Sequence, residues 1–97
     1  MERIKNVNEL MKGDKFLYCH NDTTIEYTFL CEHPDNEKYI IAINSRTKEG
    51  DKLYKPNVLS QPYYIGGYDP KFVLEQRLKY YKECVAVTEE RLKKYQS

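Results

Sequence analysis

The sequence contains no tryptophan, no Cys-x-x-Cys pair, only two alanines and no long apolar run. Each absence removes a class. No stretch approaches the roughly 18 apolar residues of a membrane span. Residues 1–12 carry charges without a continuous apolar segment, so no secretory signal is expected. The three cysteines, Cys19, Cys31 and Cys84, are odd in number and scattered. That pattern suits idle thiols in a reducing cytoplasm better than a disulfide scaffold. Neither sign of charge dominates. Sixteen Lys/Arg against fifteen Asp/Glu leave a net charge of +1, which argues against a dedicated nucleic-acid binder.

The charge is unevenly spread. Residues 1–70 hold nine Lys/Arg and eleven Asp/Glu, a net of −2. Residues 71–97 hold seven Lys/Arg and four Glu, a net of +3. Ten tyrosines stand beside frequent Lys and Asn, a composition common where the coding DNA is AT-rich, as in phages and mobile elements.

The strongest local signal is the start of a long helix. Gly66-Gly67 break the preceding chain, Asp69 sits where an N-cap belongs, and Pro70 follows at the first helical position. No Gly or Pro occurs from there to the end. Leu74, Leu78, Tyr81, Val85, Thr88, Leu92 and Tyr95 alternate at spacings of four and three, the period of one helix face. Val73, Tyr80, Cys84 and Val87 lie beside that stripe and widen it. Glu75–Lys79, Glu89–Lys93 and Glu90–Lys94 are i,i+4 pairs that support a helix by roughly 0.2–0.5 kcal/mol each.

Before residue 69 the chain reads as short strands and turns. Met1–Lys12 is expected to hold one helical turn, with Asn6 or Asn8 as cap. Strands are expected at Lys15–His20, Ile25–Glu32, Lys38–Asn44, Lys52–Lys55 (stopped by Pro56) and Tyr63–Ile65, with Val58-Leu59 pairing briefly. Ile25, Tyr27, Phe29 and Cys31 form one inward row, and the turn before them spans Asn21–Thr24. Ile40 and Ala42 alternate with Tyr39, Ile41 and Ile43, so both faces of the third strand are apolar, as in a central strand under a helix.

These features predict one α+β domain over residues 1–97, with a β-body at 13–68 and a C-terminal helix at 69–96. Four or five short antiparallel strands are expected to curl into a small SH3-like half-barrel, with the helix across the open side. A plain antiparallel sheet with the helix on one face is the alternative. A barrel of this size spans roughly 25 Å. Residues from Pro70 to about Val87 should therefore close the core, while Thr88 to Tyr95 overhang.

Chemistry finds little support. Cys19-His20 and Cys31-x-His33 invite a zinc or thiolate reading. With a four-residue turn, however, Cys19 lies opposite about Glu26, and the two clusters stand about 16 Å apart along the sheet. Adjacent strand residues also point to opposite faces, so Cys19 and His20 cannot face each other. Gly66-Gly67 precede a helix N-terminus, but Asp69 already places negative charge there and no P-loop spacing is present. No metal, no cofactor and no catalytic residue are expected.

The expectation is a non-enzymatic protein-interaction module, encoded by a phage or mobile element and modulating a host protein. Its partner-binding residues would be Tyr63, Tyr64 and Tyr68 in the aromatic loop, with Arg91, Leu92 and Tyr95 at the helix end. One alternative is a single-strand nucleic-acid binder that stacks bases on Tyr54, Tyr63, Tyr64, Tyr68, Tyr80 and Tyr81 beside lysines. Another is a structural homodimer. As a coiled coil the stripe gains nothing from its flanks. A parallel pair sets Arg77 against Lys82, and an antiparallel pair sets Arg77 against Arg91 and Glu75 against Glu89.

Overall fold

The computed structural model describes residues 1–96. Five strands, β1 (Lys15–His20), β2 (Thr23–Glu32), β3 (Tyr39–Asn44), β4 (Gly50–Tyr54) and β5 (Tyr63–Ile65), form one antiparallel sheet in the order β4-β3-β2-β1-β5. The sheet is open, so the molecule is an α+β half-barrel. A short helix α1 (Lys55–Ser60) precedes β5, a long helix α2 (Pro70–Lys93) follows it, and a 3-10 turn covers Val7–Glu9. Asn6 caps that turn, its side chain accepting from the Asn8 N–H. No helix among the described residues is long and apolar enough to cross a membrane.

Local chemistry moves several elements from their expected places. The β1–β2 connection is a two-residue turn, because Asn21 takes the left-handed conformation (φ 56°) that such turns favour and asparagine tolerates. Thr23 and Thr24 therefore join β2, and Cys19 faces Thr24 instead of Glu26. A register shift between Phe29 and Cys31 ends the inward row early and leaves Cys31 exposed. β2, not β3, is the middle strand. Pro56 starts α1 instead of merely stopping a strand, since a proline in the first helical turn loses no hydrogen bond. Val58 is consequently a helix residue, fully buried.

The sheet has a core on each face. The larger joins Phe16, Tyr27, Phe29, Ile40, Ala42 and Tyr63 of the sheet to Ile4, Val7 and Val58. Phe16 stacks on Tyr27 at 5.3 Å, and Tyr18 meets Tyr63 at 4.9 Å. The N-terminal segment and α1 cover this core. The segment is held beside β5 by Ile4 N–H to Tyr63 O (3.0 Å) and Ile65 N–H to Glu2 O (2.8 Å). The smaller core, on the opposite face, is Leu17, Cys19 and Val73 with Tyr64 and Phe72 packed against it.

That arrangement corrects the expected role of the long helix. α2 does not cross the open side of the main core, and Pro70–Val87 does not close it. Phe72 and Val73 make the smaller core, Gln76, Arg77 and Tyr80 are half-buried, and every described residue from Tyr81 onward is exposed. The molecule is accordingly elongated, 60 × 27 × 25 Å. The start of α2 matches its sequence signal. Asp69 accepts from the Phe72 N–H at 3.3 Å, the cap interaction that contributes about 1 kcal/mol. Gly66 (φ 107°) supplies the turn into the helix, and a side chain on Gly67 would meet the Glu26 carboxylate at 3.1 Å.

Burial, reinforced by nearby Tyr63, Asp51 and Tyr18, pushes the Tyr27 phenol from its ordinary 10.0 up to about 12. Burial also raises Tyr63. A phenol whose pKa is higher in the fold than in the unfolded chain contributes fully below the unfolded value of 10.0. Its contribution is lost as pH rises toward about 12. Urea-unfolding midpoints on either side of pH 10.0 should fall more steeply for the wild type than for Tyr27→Phe above that pH. Parallel curves would contradict this assignment.

Candidate protein-interaction surface

A helix turns 100° per residue, so a side that faces a sheet and a side that faces away are decided by phase. On α2 the sheet-facing residues are Phe72, Val73, Gln76 and Tyr80. The stripe Leu74, Leu78, Tyr81, Val85 and Leu92 is centred roughly 150° around the axis from them. It therefore points away from the body along its whole length. Leu74 is 61% exposed, Leu78 54%, Tyr81 50%, Val85 56% and Leu92 54%. Such side chains scattered singly need no explanation, but a continuous apolar row on one helix face marks a contact surface.

The residues expected at the partner surface divide. Tyr63 is buried in the larger core and is unavailable to a partner. Its inward position follows from its pairing with Tyr18 on β1. Tyr64 is half-buried and seats the helix, its ring edge-on to Phe72 at 4.8 Å with the Arg3 guanidinium 5.7 Å above it. Tyr68 is exposed, its N–H held by Glu26 at 2.7 Å. Arg91, Leu92 and Tyr95 are exposed at the far end. Tyr68 and Leu92 are separated by about 36 Å of helix, so the loop and the helix end are not one patch. Leu74, Leu78, Tyr81 and Val85 were missed as surface residues. The signal that finds them is the second apolar row Phe72, Val73, Tyr80, whose presence leaves the stripe free.

The tyrosines are spread over opposite ends of the sheet. Tyr54 packs on Tyr39 at 5.2 Å at the β4 edge, where Lys52 lies 4.4 Å over the Tyr39 ring. Tyr80 and Tyr81 meet on α2 at 5.6 Å. A bond to the Cys84 thiol raises the Tyr80 phenol above its ordinary value. Cys19 is buried beneath α2, whereas the His20 ring lies edge-on to Tyr18, whose side chain packs against the larger core. His33 accepts from the Asp35 N–H at 3.1 Å and so shapes its own turn. Among the described residues no three His, Cys, Asp or Glu side chains gather as metal ligands. A polar cleft of about 160 Å³ separates α2 from the β1–β2 hairpin, bordered by His20, Pro62, Lys79 and Glu83.

No protein family, no curated protein and no solved structure matches the chain.

Proposed function

We propose that the protein is a small non-enzymatic interaction module that presents the outer stripe of α2 to a protein partner. The reading includes an SH3-like small barrel, a cytoplasmic setting with reduced thiols, and a phage or mobile-element origin in which the partner is a host protein. The observation that carries it is the free stripe. Hiding the exposed halves of these five Leu, Val and Tyr side chains contributes roughly 4–8 kcal/mol. That is comparable to the cost of association, so the partner must add polar contacts at the rim. The net +3 of residues 71–97 favours an acidic rim on that partner.

Affinity capture from a lysate tests this with three proteins. These are the wild type, the stripe variant Leu78→Glu/Leu92→Glu, and Leu59→Glu, which alters an exposed leucine on α1. Wild type and Leu59→Glu should recover the same partner, and the stripe variant should lose it. Equal recovery by all three would sink the assignment of the stripe.

One observation favours self-association as the second reading. Because the stripe is free from Leu78 onward, two copies of α2 can pair antiparallel about a midpoint between Ala86 and Val87. Lys82 then faces Glu89 of the partner subunit, and Glu89 faces the partner's Lys82, in place of the repulsive Arg77 and Glu75 contacts of the other register. Leu92 meets the partner's Tyr81, and Val85 meets the partner's Thr88. Thr88 suits that layer because its hydroxyl is already satisfied by Cys84 O at 2.8 Å. Light scattering at two concentrations separates this reading from a heterologous partner.

A further inference from the structure

A cleft of about 290 Å³ opens between α2 and the β3–β4 turn, lined by Thr24, Glu26, Ser45, Arg46, Tyr68 and Arg77. It is lined by none of the stripe residues, although Arg77 flanks the stripe on the helix surface. Two arginines line it from anchored backbone. Arg77 stands one turn beyond the fully buried Val73. Arg46 follows Ser45, whose N–H is bonded to Glu26 O at 3.0 Å, and its own N–H is held by Asn44 Oδ1 at 2.8 Å. Among the described residues neither guanidinium has a carboxylate partner, and the buried Nε of Arg77 has no acceptor at all.

The one carboxylate in the cleft is committed elsewhere. Glu26 Oε2 accepts from the Tyr68 N–H at 2.7 Å, and Oε1 lies 3.6 Å from Lys15 Nζ. A buried donor left without an acceptor is costly, and two guanidinium groups sharing a cleft repel each other unless an anion lies between them. An external anion seated between the two arginines relieves that repulsion. It must carry more than one negative charge to be favoured beside Glu26, and it must offer several oxygens to match two planar forks. Ser45 and Tyr68, which carry hydroxyls, line the same space.

We propose that this cleft binds a phosphoryl dianion, through Arg46 and Arg77, either as free phosphate or as a small phosphomonoester. The space exceeds that of a bare ion, which favours the monoester. The test is a titration of the full chain with inorganic phosphate and, separately, with free O-phosphoserine. Each is compared with chloride at matched ionic strength, and backbone amide and arginine Nε signals are followed by NMR. Saturable shifts centred on Arg46 and Arg77 are expected, with O-phosphoserine binding more tightly; tighter phosphate would assign the free ion. Arg77→Gln and Arg46→Gln should each weaken binding by about tenfold or more, the loss of a charged hydrogen-bond pair. Glu26→Gln should strengthen it. Unfolding midpoints of each variant establish that the fold is retained. The proposal is overturned by shifts no larger than those in chloride, by binding that survives both arginine substitutions, or by weaker binding in Glu26→Gln. That last result would show that the Glu26 carboxylate supports the site through Lys15 and the Tyr68 N–H instead of opposing the anion.

Discussion

Phe16→Ala is expected to destabilise the protein by about 3–5 kcal/mol, the range for removing a fully buried aromatic ring and leaving a cavity. Phe16 is 0% exposed and sits on β1, where it pairs with Tyr27 on one side and Ile65 on the other. Its ring stacks on Tyr27 at 5.3 Å with 17° between planes and lies 6.1 Å from Tyr63. The cavity would thus open in the larger core, between the middle strand and the β5 edge. Neither side can collapse into it easily, because Tyr27 and Tyr63 are themselves held by strand pairing. Domains of this size have only about 5–15 kcal/mol of stability, so the variant should be partly unfolded at room temperature or close to it. Urea unfolding followed by far-ultraviolet circular dichroism measures the loss. A change below about 1 kcal/mol would be typical of a surface site and would remove Phe16 from the core.

Val73→Asp is expected to release α2 while leaving the sheet folded. Val73 is fully buried against Leu17 and Cys19 and is the only residue of α2 that is completely covered. A carboxylate placed there has no partner, and an unpaired buried charge costs several kcal/mol unless the helix lifts away. The larger core does not include α2, so it has no reason to dissolve. Hydrogen exchange should show amides from Phe72 to Tyr80 losing protection, with β1, β2 and β3 within a few-fold of wild type. Detached, α2 loses the tertiary packing that supplies most helical stability in proteins, so its far end should fray as well. Leu74→Asp, one position along but 61% exposed, should leave amide protection in the free protein unchanged. Loss of protection throughout the sheet in Val73→Asp would show instead that the two cores fold as one.

Much of this architecture was legible in residue chemistry. The Asp69-Pro70 start of α2 rests on a side chain bonding to backbone within three residues, which sequence displays directly, and the same chemistry narrowed the cap of the N-terminal turn to Asn6 or Asn8, of which the structure uses Asn6. Strands Lys15–His20 and Tyr63–Ile65 were legible from β-formers bounded by turns. What escaped was set by longer reach or by alternatives close in energy. Proline 56 both ends a strand and starts a helix, and the choice between them was made by the pocket that buries Val58 against Ile40 and its neighbours. The bulge after Phe29, which turns Cys31 outward, depends on how β3 pairs with β2.

The candidate surfaces follow the same division. Sequence alone determined that α2 is long, capped at Asp69 and apolar along Leu74, Leu78, Tyr81, Val85 and Leu92, because helical period and capping are local. Only the tertiary structure decided which side of that helix meets the sheet. Two apolar rows competed for the smaller core, and Phe72 and Val73 took it because they meet Leu17, Cys19 and Tyr64 on the face opposite the main core. Tyr63 was drawn inward by the same assembly, and Arg46 was brought beside Arg77 across thirty-one residues of chain. Local bonding fixes where an element begins and ends; the phase at which it docks is a competition between faces, resolved only when all the elements are packed together.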